Sequence, residues 1–192
     1  TSQFNLGVRY VNGQGVPQDY KEAVRLYRLS ADQGYAKAQY NLGIMYSNGQ
    51  GVPQDYKEAV KWYRLAAEQG DATSQSNLAL MYSNGQGVSQ DYKETVKWYR
   101  LSAEQGYVDA QFKLGFMYRK GQGVPQDDKK AIKWYQLAAE QGDVDAQYQV
   151  GWMHYNGKGV PQDNKNAIKW YQLSAEQGNA LAQGNLGWMY QN

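Results

Sequence analysis

The sequence has no cysteine and a single histidine, His154, among its 192 residues. Without cysteine there is neither a disulfide framework nor a thiolate metal site. One histidine leaves a histidine-dependent triad with a single candidate base and no cysteine nucleophile. These absences exclude a disulfide-stabilised scaffold and speak against an enzyme that relies on such a triad.

An excess of one charge sign and a long apolar run are also missing. The chain has 20 basic and 18 acidic side chains, which gives a formal net charge of +2. Such a balance provides no general attraction to nucleic acid or to anionic lipid. No apolar stretch approaches the roughly 18 residues that a membrane-spanning helix requires. We therefore expect no nucleic-acid partner and no insertion into a membrane.

Glycine and aromatic residues are plentiful, and the glycines return at a fixed interval. The chain has 21 Gly, 18 Tyr and 6 Trp. Three series of glycines share a step of 36 residues: Gly7, Gly43, Gly115, Gly151 and Gly187, with Ala79 in the gap, then Gly13, Gly49, Gly85, Gly121 and Gly157, and finally Gly15, Gly51, Gly87, Gly123 and Gly159. A fixed period of this length predicts an array of structural repeats.

Residues 36–70 contain one repeat, and each repeat position is named below by the residue number that it has there. Ala38 and Leu42 recur at helical spacing, which predicts a first helix. Gly49 suits the left-handed residue that ends such a helix, and Asp55 suits the N-cap of a second helix. Each repeat is therefore predicted to be a pair of helices joined by a short loop.

Two details of the repeat lead to further structural predictions. Glu58 follows Asp55 by three residues, which is the capping-box pattern. The same pattern occurs in two other repeats, at Asp19/Glu22 and Asp91/Glu94. Gly43 lies inside the first helix, where glycine costs about 1 kcal/mol relative to alanine. The recurrence of this glycine predicts that another helix approaches too closely there for a side chain.

The whole chain is predicted to be an all-α solenoid of about eleven helices in one domain, residues 1–192. The predicted helix pairs lie at about 1–33, 36–69, 72–105, 108–141 and 144–177, and an unpaired helix follows at 180–192. Because each pair has more apolar surface than it can bury alone, neighbouring pairs must stack. The chain begins within a repeat and ends on an unpaired helix. We therefore expect either a longer native protein or an end that docks on another molecule, including end-to-end self-association.

The repeated pattern resembles the Sel1-like repeat family, whose members are related to tetratricopeptide repeats. The residues that carry the resemblance are Ala38, Leu42, Gly43, Tyr46, Gly49, Gly51, Val52, Asp55, Ala59, Trp62, Tyr63, Ala66, Ala67 and Gly70. The resemblance implies a right-handed α/α superhelix that serves as a protein-binding scaffold, without enzyme activity or cofactor, often in bacterial proteins. It leaves the compartment open between the cytoplasm and the periplasm or the exterior. Some members are rich in cysteine and associated with β-lactam binding, an association not carried over to this cysteine-free chain.

Three positions of the first helix, 40, 44 and 47, vary between repeats and share one face. Because first helices line the concave side in the family, the resemblance places the variable side chains there. The predicted partner-binding residues are Phe112, Phe116, Arg119, Tyr148, Trp152, Tyr155, Trp188, Lys113 and Gln149. Aromatic anchors with a polar rim are typical of a surface that binds a protein or peptide segment. The alternative is that positions 40 and 44 pack against the next first helix.

Other candidate sites have structural interpretations. His154 stands at position 46, which is Tyr in every other repeat, so it is predicted to fill a helix interface. The G-Q-G-V loops lack the strand and the Gly-Lys-Ser/Thr of phosphate-binding loops and are predicted to be turns. Asp109 and Asp145 lie one repeat apart, too far to share a metal ion. Two other function classes stay open: an envelope-associated enzyme or accessory that acts on cell-wall material, and a structural spacer.

Overall fold

The computed structural model describes residues 2–191, and these residues form eleven α-helices and no strand. The helices are α1 (Ser2–Asn12), α2 (Tyr20–Ala31), α3 (Ala36–Asn48), α4 (Tyr56–Glu68), α5 (Ala72–Asn84), α6 (Tyr92–Glu104), α7 (Val108–Lys120), α8 (Asp128–Glu140), α9 (Val144–Asn156), α10 (Asn164–Glu176) and α11 (Ala180–Gln191). The predicted all-α class is confirmed, and each helix pair falls within its predicted range. Thr1 and Asn192, which bound the first predicted pair and the last predicted helix, lie outside the described residues.

The chain divides into two compact units, Thr1–Ser102 and Ala103–Asn192. In the first unit, α1 packs against α2, α2 against α3, α3 against α4, and α4 against α5. In the second unit, the helices from α7 to α11 do the same. This stacking buries small and apolar side chains completely, Ala38 and Leu42 among them. The single domain predicted for residues 1–192 stays a prediction.

A tyrosine of the second helix explains the glycine inside the first helix. A Cβ atom added to Gly43 would lie 2.5 Å from Cδ1 of Tyr63. The corresponding distance from Gly115 to Cδ1 of Tyr135 is 2.8 Å. A larger side chain would overlap the tyrosine ring, which is itself buried. The close approach predicted from the recurrent glycine is therefore confirmed, and the neighbour is a ring of the same helix pair.

The loop between the two helices satisfies its own backbone groups. Gly49 has a φ of 68° and ends the first helix in the left-handed conformation, as predicted. The Asp55 carboxylate accepts the N–H groups of Lys57 at 2.9 Å and Glu58 at 3.1 Å, so the predicted N-cap is confirmed. The other half of the predicted capping box is wrong, because the N–H of Asp55 donates to the Tyr46 carbonyl at 2.9 Å. The loop folds back onto the end of the first helix and satisfies this donor, which leaves nothing for the glutamate to accept.

A second loop glycine places each loop against the preceding repeat. Gly51 has a φ of 73°, and a Cβ atom there would overlap the carbonyl oxygen of Tyr20 at the start of α2. The same backbone contact occurs between Gly159 and Asp128 in the second unit. Only glycine combines the left-handed conformation with this close approach. The loops therefore help to fix the spacing of neighbouring helix pairs within each unit.

Buried glutamines at position 39 connect three helices in interior repeats, where two side-chain hydrogen bonds are made by each of Gln39, Gln111 and Gln147. The side-chain amide of Gln39 donates to the carbonyl of Ala31, in the preceding second helix, at 3.1 Å. Its Oε1 accepts from Nε2 of Gln69, at the end of its own second helix, at 2.7 Å. Gln111 makes the same two bonds in the second unit, with Ala103 at 3.2 Å and Gln141 at 2.8 Å. The bond to the preceding second helix recurs in five of the six first helices, at Gln39, Gln75, Gln111, Gln147 and Gln183, and accounts for glutamine at position 39 there.

Candidate functional site

The aromatic residues at position 40 pack against the second helix of their own repeat. The ring centroids of Phe112 and Tyr135 lie 5.5 Å apart, and those of Tyr148 and Tyr171 lie 5.7 Å apart. Both pairs are tilted, which is a favourable arrangement for aromatic rings. Phe112 and Tyr148 are half-buried. Part of their surface therefore stabilises the helix pair, whatever else they contact.

The most exposed side chains of the predicted site lie at position 44. Phe116 is 37% exposed and Trp188 is 54% exposed. Trp152, Tyr155 and Arg119 are half-buried. These side chains belong to three consecutive first helices of the second unit, α7, α9 and α11. The most exposed aromatic surface of the predicted site is therefore that of Phe116 and Trp188.

Most of these aromatic residues meet around one cavity of about 250 Å³. The cavity is lined by Tyr148, Trp152, Tyr155, Asn156, Tyr171, Asn185, Trp188 and Met189. The rings of Tyr155 and Trp188 stand nearly perpendicular, with centroids 5.9 Å apart and an interplanar angle of 85°. We call this space the aromatic cavity. It is formed by α9, α10 and α11, so residues from two repeats complete it.

The first unit has a cavity at the equivalent repeat positions, but its lining differs. This cavity has a volume of about 210 Å³. It shares with the aromatic cavity positions 47, 48 and 63 of one repeat and positions 41, 44 and 45 of the next repeat. At position 47 it has Ser47 where the second unit has Tyr155, and at position 44 of the next repeat it has Leu80 where the second unit has Trp188. The repeat fold thus creates the space, and two aromatic substitutions change its chemistry.

Tyr171 forms the floor of the aromatic cavity and is a neutral phenol. Its side chain is 1% exposed, and this burial raises the pKa of Tyr171 to about 12. The nearby Asn185 amide offsets the effect of burial on the pKa in part. The cavity lining is therefore uncharged at neutral pH, with amide and phenol groups among the rings.

The predicted polar residues lie directly on the predicted aromatic anchors. Nη1 of Arg119 donates to Oε1 of Gln149 at 2.9 Å, and its guanidinium carbon lies 5.2 Å from the centre of the Trp152 ring. The ammonium group of Lys113 lies 5.8 Å from the centre of the Phe112 ring. Cations at such distances are attracted to aromatic faces. The structure thus brings the polar and the aromatic members of the predicted set together.

A second cavity adjoins these residues, with a volume of about 320 Å³. It is lined by Arg119, Lys120, Gln126, Asp128, Trp152 and Lys158. We call it the basic cavity, because it has three cationic side chains and one carboxylate. Trp152 lines both the basic and the aromatic cavity. The two spaces therefore meet at the indole ring of one residue.

His154 occupies a structural position on α9. At the same repeat position, the Tyr82 hydroxyl accepts from Nη2 of Arg64 at 2.6 Å, and the Tyr190 hydroxyl accepts from Nε2 of Gln172 at 2.7 Å. The shorter imidazole makes no such bond, and Nδ1 of His154 is buried without a hydrogen-bond partner among the described residues. Burial lowers the pKa of His154, and the nearby Asp163 carboxylate opposes this shift. Its half-buried setting agrees with the interpretation of His154 as a substitute for tyrosine.

Metal and membrane sites find no support in the part of the chain that the structure describes. Residues 2–191 contain no cluster of three or more histidine, aspartate or glutamate side chains that could hold a metal ion. No helix within that range combines the length and the apolar composition needed to cross a membrane.

Two features of the molecular surface were not predicted from the sequence. Each second helix has one exposed leucine, and these leucines expose between 37% and 44% of their surface. They are Leu29, Leu65, Leu101, Leu137 and Leu173. The grouping of Arg119, Lys120 and Lys158 around one cavity was also not predicted. A comparison of charge between equivalent repeat positions could have indicated this basic group, because the same positions are uncharged in the first three repeats.

The paired helices, the tyrosine-filled gaps and the glycine loops together define a helical-repeat protein. The family model of the Sel1 repeat matches residues 1–35, 36–71, 72–107, 108–143 and 144–179. The chain therefore belongs to the Sel1 repeat family. Sel1 repeat proteins generally mediate protein–protein interactions, and the repeat is generally a non-enzymatic scaffold.

Solved structures show the same fold. The chain is 45% identical to c5321, a protective antigen present in uropathogenic Escherichia coli strains that displays an SLR fold, with a TM-score of 0.96 over 98% of this chain and 40% of that chain. It is 38% identical to a Sel1 repeat protein from Oxalobacter formigenes, with a TM-score of 0.86 over 98% of this chain and 75% of that chain. The chain thus spans less than half the length of the Escherichia coli antigen. The sequence matches none of the curated proteins.

Proposed function

We propose that the chain is a non-enzymatic interaction module whose second unit binds a segment of another protein. The binding surface is formed by the first helices α7, α9 and α11. The observation that carries the proposal is the aromatic cavity, in which Tyr155 and Trp188 replace the Ser47 and Leu80 of the equivalent cavity in the first unit. An aromatic pair at positions where the same fold accepts serine and leucine is not required for folding.

The environment of these residues suits an interaction hot spot. Hot spots concentrate on Trp, Tyr and Arg that lie in well-packed pockets and are flanked by polar groups. Trp152 is held between the cavity and the Arg119 guanidinium, so its rotamer is already restricted before a partner binds. A restricted side chain loses little conformational entropy on binding. The surface is therefore preorganised for contact with a partner.

The predicted residues have different roles in this proposal. Phe116, Trp152, Tyr155 and Trp188 are the anchors, because they combine aromatic surface with exposure or contact with a cavity. Four further predicted residues, Phe112, Tyr148, Lys113 and Gln149, support or flank them. Arg119 links both groups through its contacts with Trp152 and Gln149.

Affinity capture from a bacterial lysate tests the proposal with a variant that keeps the fold. In the double variant Tyr155→Ser and Trp188→Leu, both residues become those that the chain uses at the same positions in the first unit. We expect this variant to keep its helical circular dichroism and to lose at least 90% of a partner that the wild-type chain captures, because it loses two aromatic anchors.

Leu137→Ala is the matched control, since Leu137 is 44% exposed on a second helix of the same unit. This change should leave the capture unaltered. A partner held equally by the wild-type chain and the double variant, but lost by Leu137→Ala, would assign binding to the second helices. A capture that finds no partner for any of the chains would favour the structural spacer.

A further inference from the structure

We infer that the segment bound by the second unit is acidic and inserts a bulky apolar side chain into the aromatic cavity, with its carboxylates facing Arg119, Lys120 and Lys158. This inference rests on the proposed function and specifies the chemistry of the partner. It predicts that a short peptide with one large apolar residue among Asp and Glu residues is the minimal ligand.

Positive charge is concentrated at the basic cavity and is absent from the same repeat positions elsewhere. Arg119, Lys120 and Lys158 occupy positions 47, 48 and 50. The first three repeats have uncharged residues at these positions, namely Val11, Ser47 and Ser83, then Asn12, Asn48 and Asn84, and finally Gln14, Gln50 and Gln86. Because the fold accepts uncharged side chains at all three positions, helix formation does not require the cations.

No ion pair within residues 2–191 involves Arg119, Lys120 or Lys158. Ion pairs elsewhere in the described part of the chain include Arg25 with Glu22, Lys61 with Glu58, Lys97 with Glu94 and Lys130 with Asp127. Asp128 is the one carboxylate among the residues that line the basic cavity. Three cations and one carboxylate leave a net positive charge there. An anionic group from a partner would therefore be attracted to this cavity.

The arrangement of the two cavities favours an apolar side chain next to acidic ones. The aromatic cavity is lined by rings, two amides and one thioether, and none of its lining residues is charged. Trp152 lines both the aromatic cavity and the basic cavity, so the two are adjacent. Neighbouring residues of an extended segment, which are about 3.3 Å apart along the chain, can therefore reach both cavities.

A cationic ligand is the competing interpretation, because aromatic cavities also attract ammonium groups. The Arg119 guanidinium already lies 5.2 Å from the centre of the Trp152 ring. Lys120 and Lys158 line the adjoining cavity, to which Trp152 also contributes. A second cation would be repelled by all three, whereas an apolar side chain would not. Charge complementarity thus favours the acidic segment.

The test measures the binding of fluorescein-labelled twelve-residue peptides by fluorescence anisotropy. The acidic peptide has a central Trp among Asp, Glu and Ser residues, the neutral peptide has Gln and Asn instead of the acids, and the basic peptide has Lys. Each peptide is also made with Ala in place of the central Trp. We expect the acidic Trp peptide to bind at least tenfold more tightly than the neutral one, and the basic and Ala peptides not to bind detectably.

The double variant Lys120→Asn and Lys158→Gln tests the charge contribution, because it introduces the residues found at these positions in the first unit. We expect it to weaken binding of the acidic peptide about tenfold and to reduce the dependence of binding on salt concentration. The control is the double variant Lys129→Gln and Lys165→Gln. It removes the same charge from exposed sites on second helices of the same unit, and we expect less than a twofold effect.

The outcomes separate this inference from the proposed function. Equal binding of the acidic and neutral Trp peptides, lost in the Tyr155→Ser and Trp188→Leu variant, would overturn the acidic ligand and support the aromatic anchors. Preference for the basic peptide would overturn the inference in favour of a cationic ligand. If no peptide bound at 1 mM, the inference would be wrong, and the capture experiment would still decide the proposed function.

Discussion

His154 shows how one residue within a repeat alters a local interaction. Tyrosines at the same position reach a side chain of the preceding second helix with their hydroxyl groups, as Tyr82 does with Arg64. The imidazole is too short, and its Nδ1 is buried without a partner in the described structure. Because an unpaired buried polar atom costs stability, this repeat should be locally weaker than its neighbours.

The same residue should make stability depend on pH. Burial lowers the pKa of His154 below its ordinary value of 6.5, so the unfolded chain binds the proton more readily than the folded chain. The contribution of neutral His154 to folding is therefore present above about pH 6.5 and is lost as the pH falls through the folded pKa. We expect urea midpoints between pH 7.5 and pH 5 to fall more steeply for the wild-type chain than for His154→Tyr.

His154→Gln serves as a second non-titrating variant, because a tyrosine could also form a new hydrogen bond. The comparison concerns the slope of stability against pH and not its absolute value. Identical slopes for the wild-type chain and both variants would show that protonation of His154 is not linked to folding.

Among the helices, the glutamine at position 39 links an interior first helix to the second helices on both sides of it. In the second unit, Gln111 bonds the carbonyl of Ala103 at the end of α6 and the Gln141 amide after α8. Its side chain is 3% exposed. Replacement by leucine keeps the approximate size but removes both hydrogen bonds, so that the Ala103 carbonyl keeps the N–H of Gly106 and the Gln141 amide keeps backbone carbonyls.

We expect Gln111→Leu to lower the free energy of unfolding by about 1–3 kcal/mol, because it removes two hydrogen bonds that each contribute about 0.5–1.5 kcal/mol. Chemical denaturation measures this change. Gln183→Leu is the matched control, because Gln183 makes the same bond to the carbonyl of Ala175 at 3.2 Å but is exposed. Water can replace the lost bond there, so the loss should be smaller. Equal losses in the two variants would contradict the role given to burial.

At the scale of the whole molecule, the chain consists of repeats that are stabilised by their neighbours. In such an array, stability is approximately a sum of repeat energies and neighbour interfaces, so damage in one repeat spreads first to adjacent repeats. The two compact units provide a way to observe this behaviour. Leu42 and Leu114 occupy the same repeat position, one in each unit, and neither side chain is exposed.

We expect Leu42→Asp to unfold helices of the first unit, because it buries an unpaired charge. Hydrogen exchange measured by mass spectrometry should show lost protection in α2 to α5 and retained protection in α8 to α10. Leu114→Asp should produce the converse pattern in the second unit. Loss of protection throughout the chain in both variants would show that the protein unfolds as a single cooperative body.

Much of the fold could be predicted from the sequence because the same local signals occur in each repeat. The 36-residue step, the glycine at the end of the first helix and the aspartate before the second are local signals, and Gly49 and Asp55 have the predicted geometry. The return bond of the capping box was wrong, because the carbonyl of Tyr46 competes for the same donor. A carbonyl brought near by the folding of a loop is not visible in residue spacing.

The candidate site could be predicted only in outline. Variation between repeats selected positions 40, 44 and 47, but it could not show which of these side chains pack against a neighbouring helix and which are exposed. Phe112 packs on Tyr135, whereas Phe116, four residues later, is 37% exposed. Both are phenylalanines on the same helix face, so their difference arises from the neighbouring second helix. The role of this set in binding a partner stays a prediction.

By itself, the sequence determined the repeat, the eleven helices and their caps, because these depend on backbone preferences and on interactions over a few residues. Only the tertiary structure decided which side chains meet. It joined Tyr148, Tyr155 and Trp188 from two repeats in one cavity, and it placed Lys158 beside Arg119 and Lys120 although nearly forty residues separate them. The physical reason is that stacking brings equivalent positions of successive repeats together, so surface chemistry depends on packing distances that a single repeat does not contain.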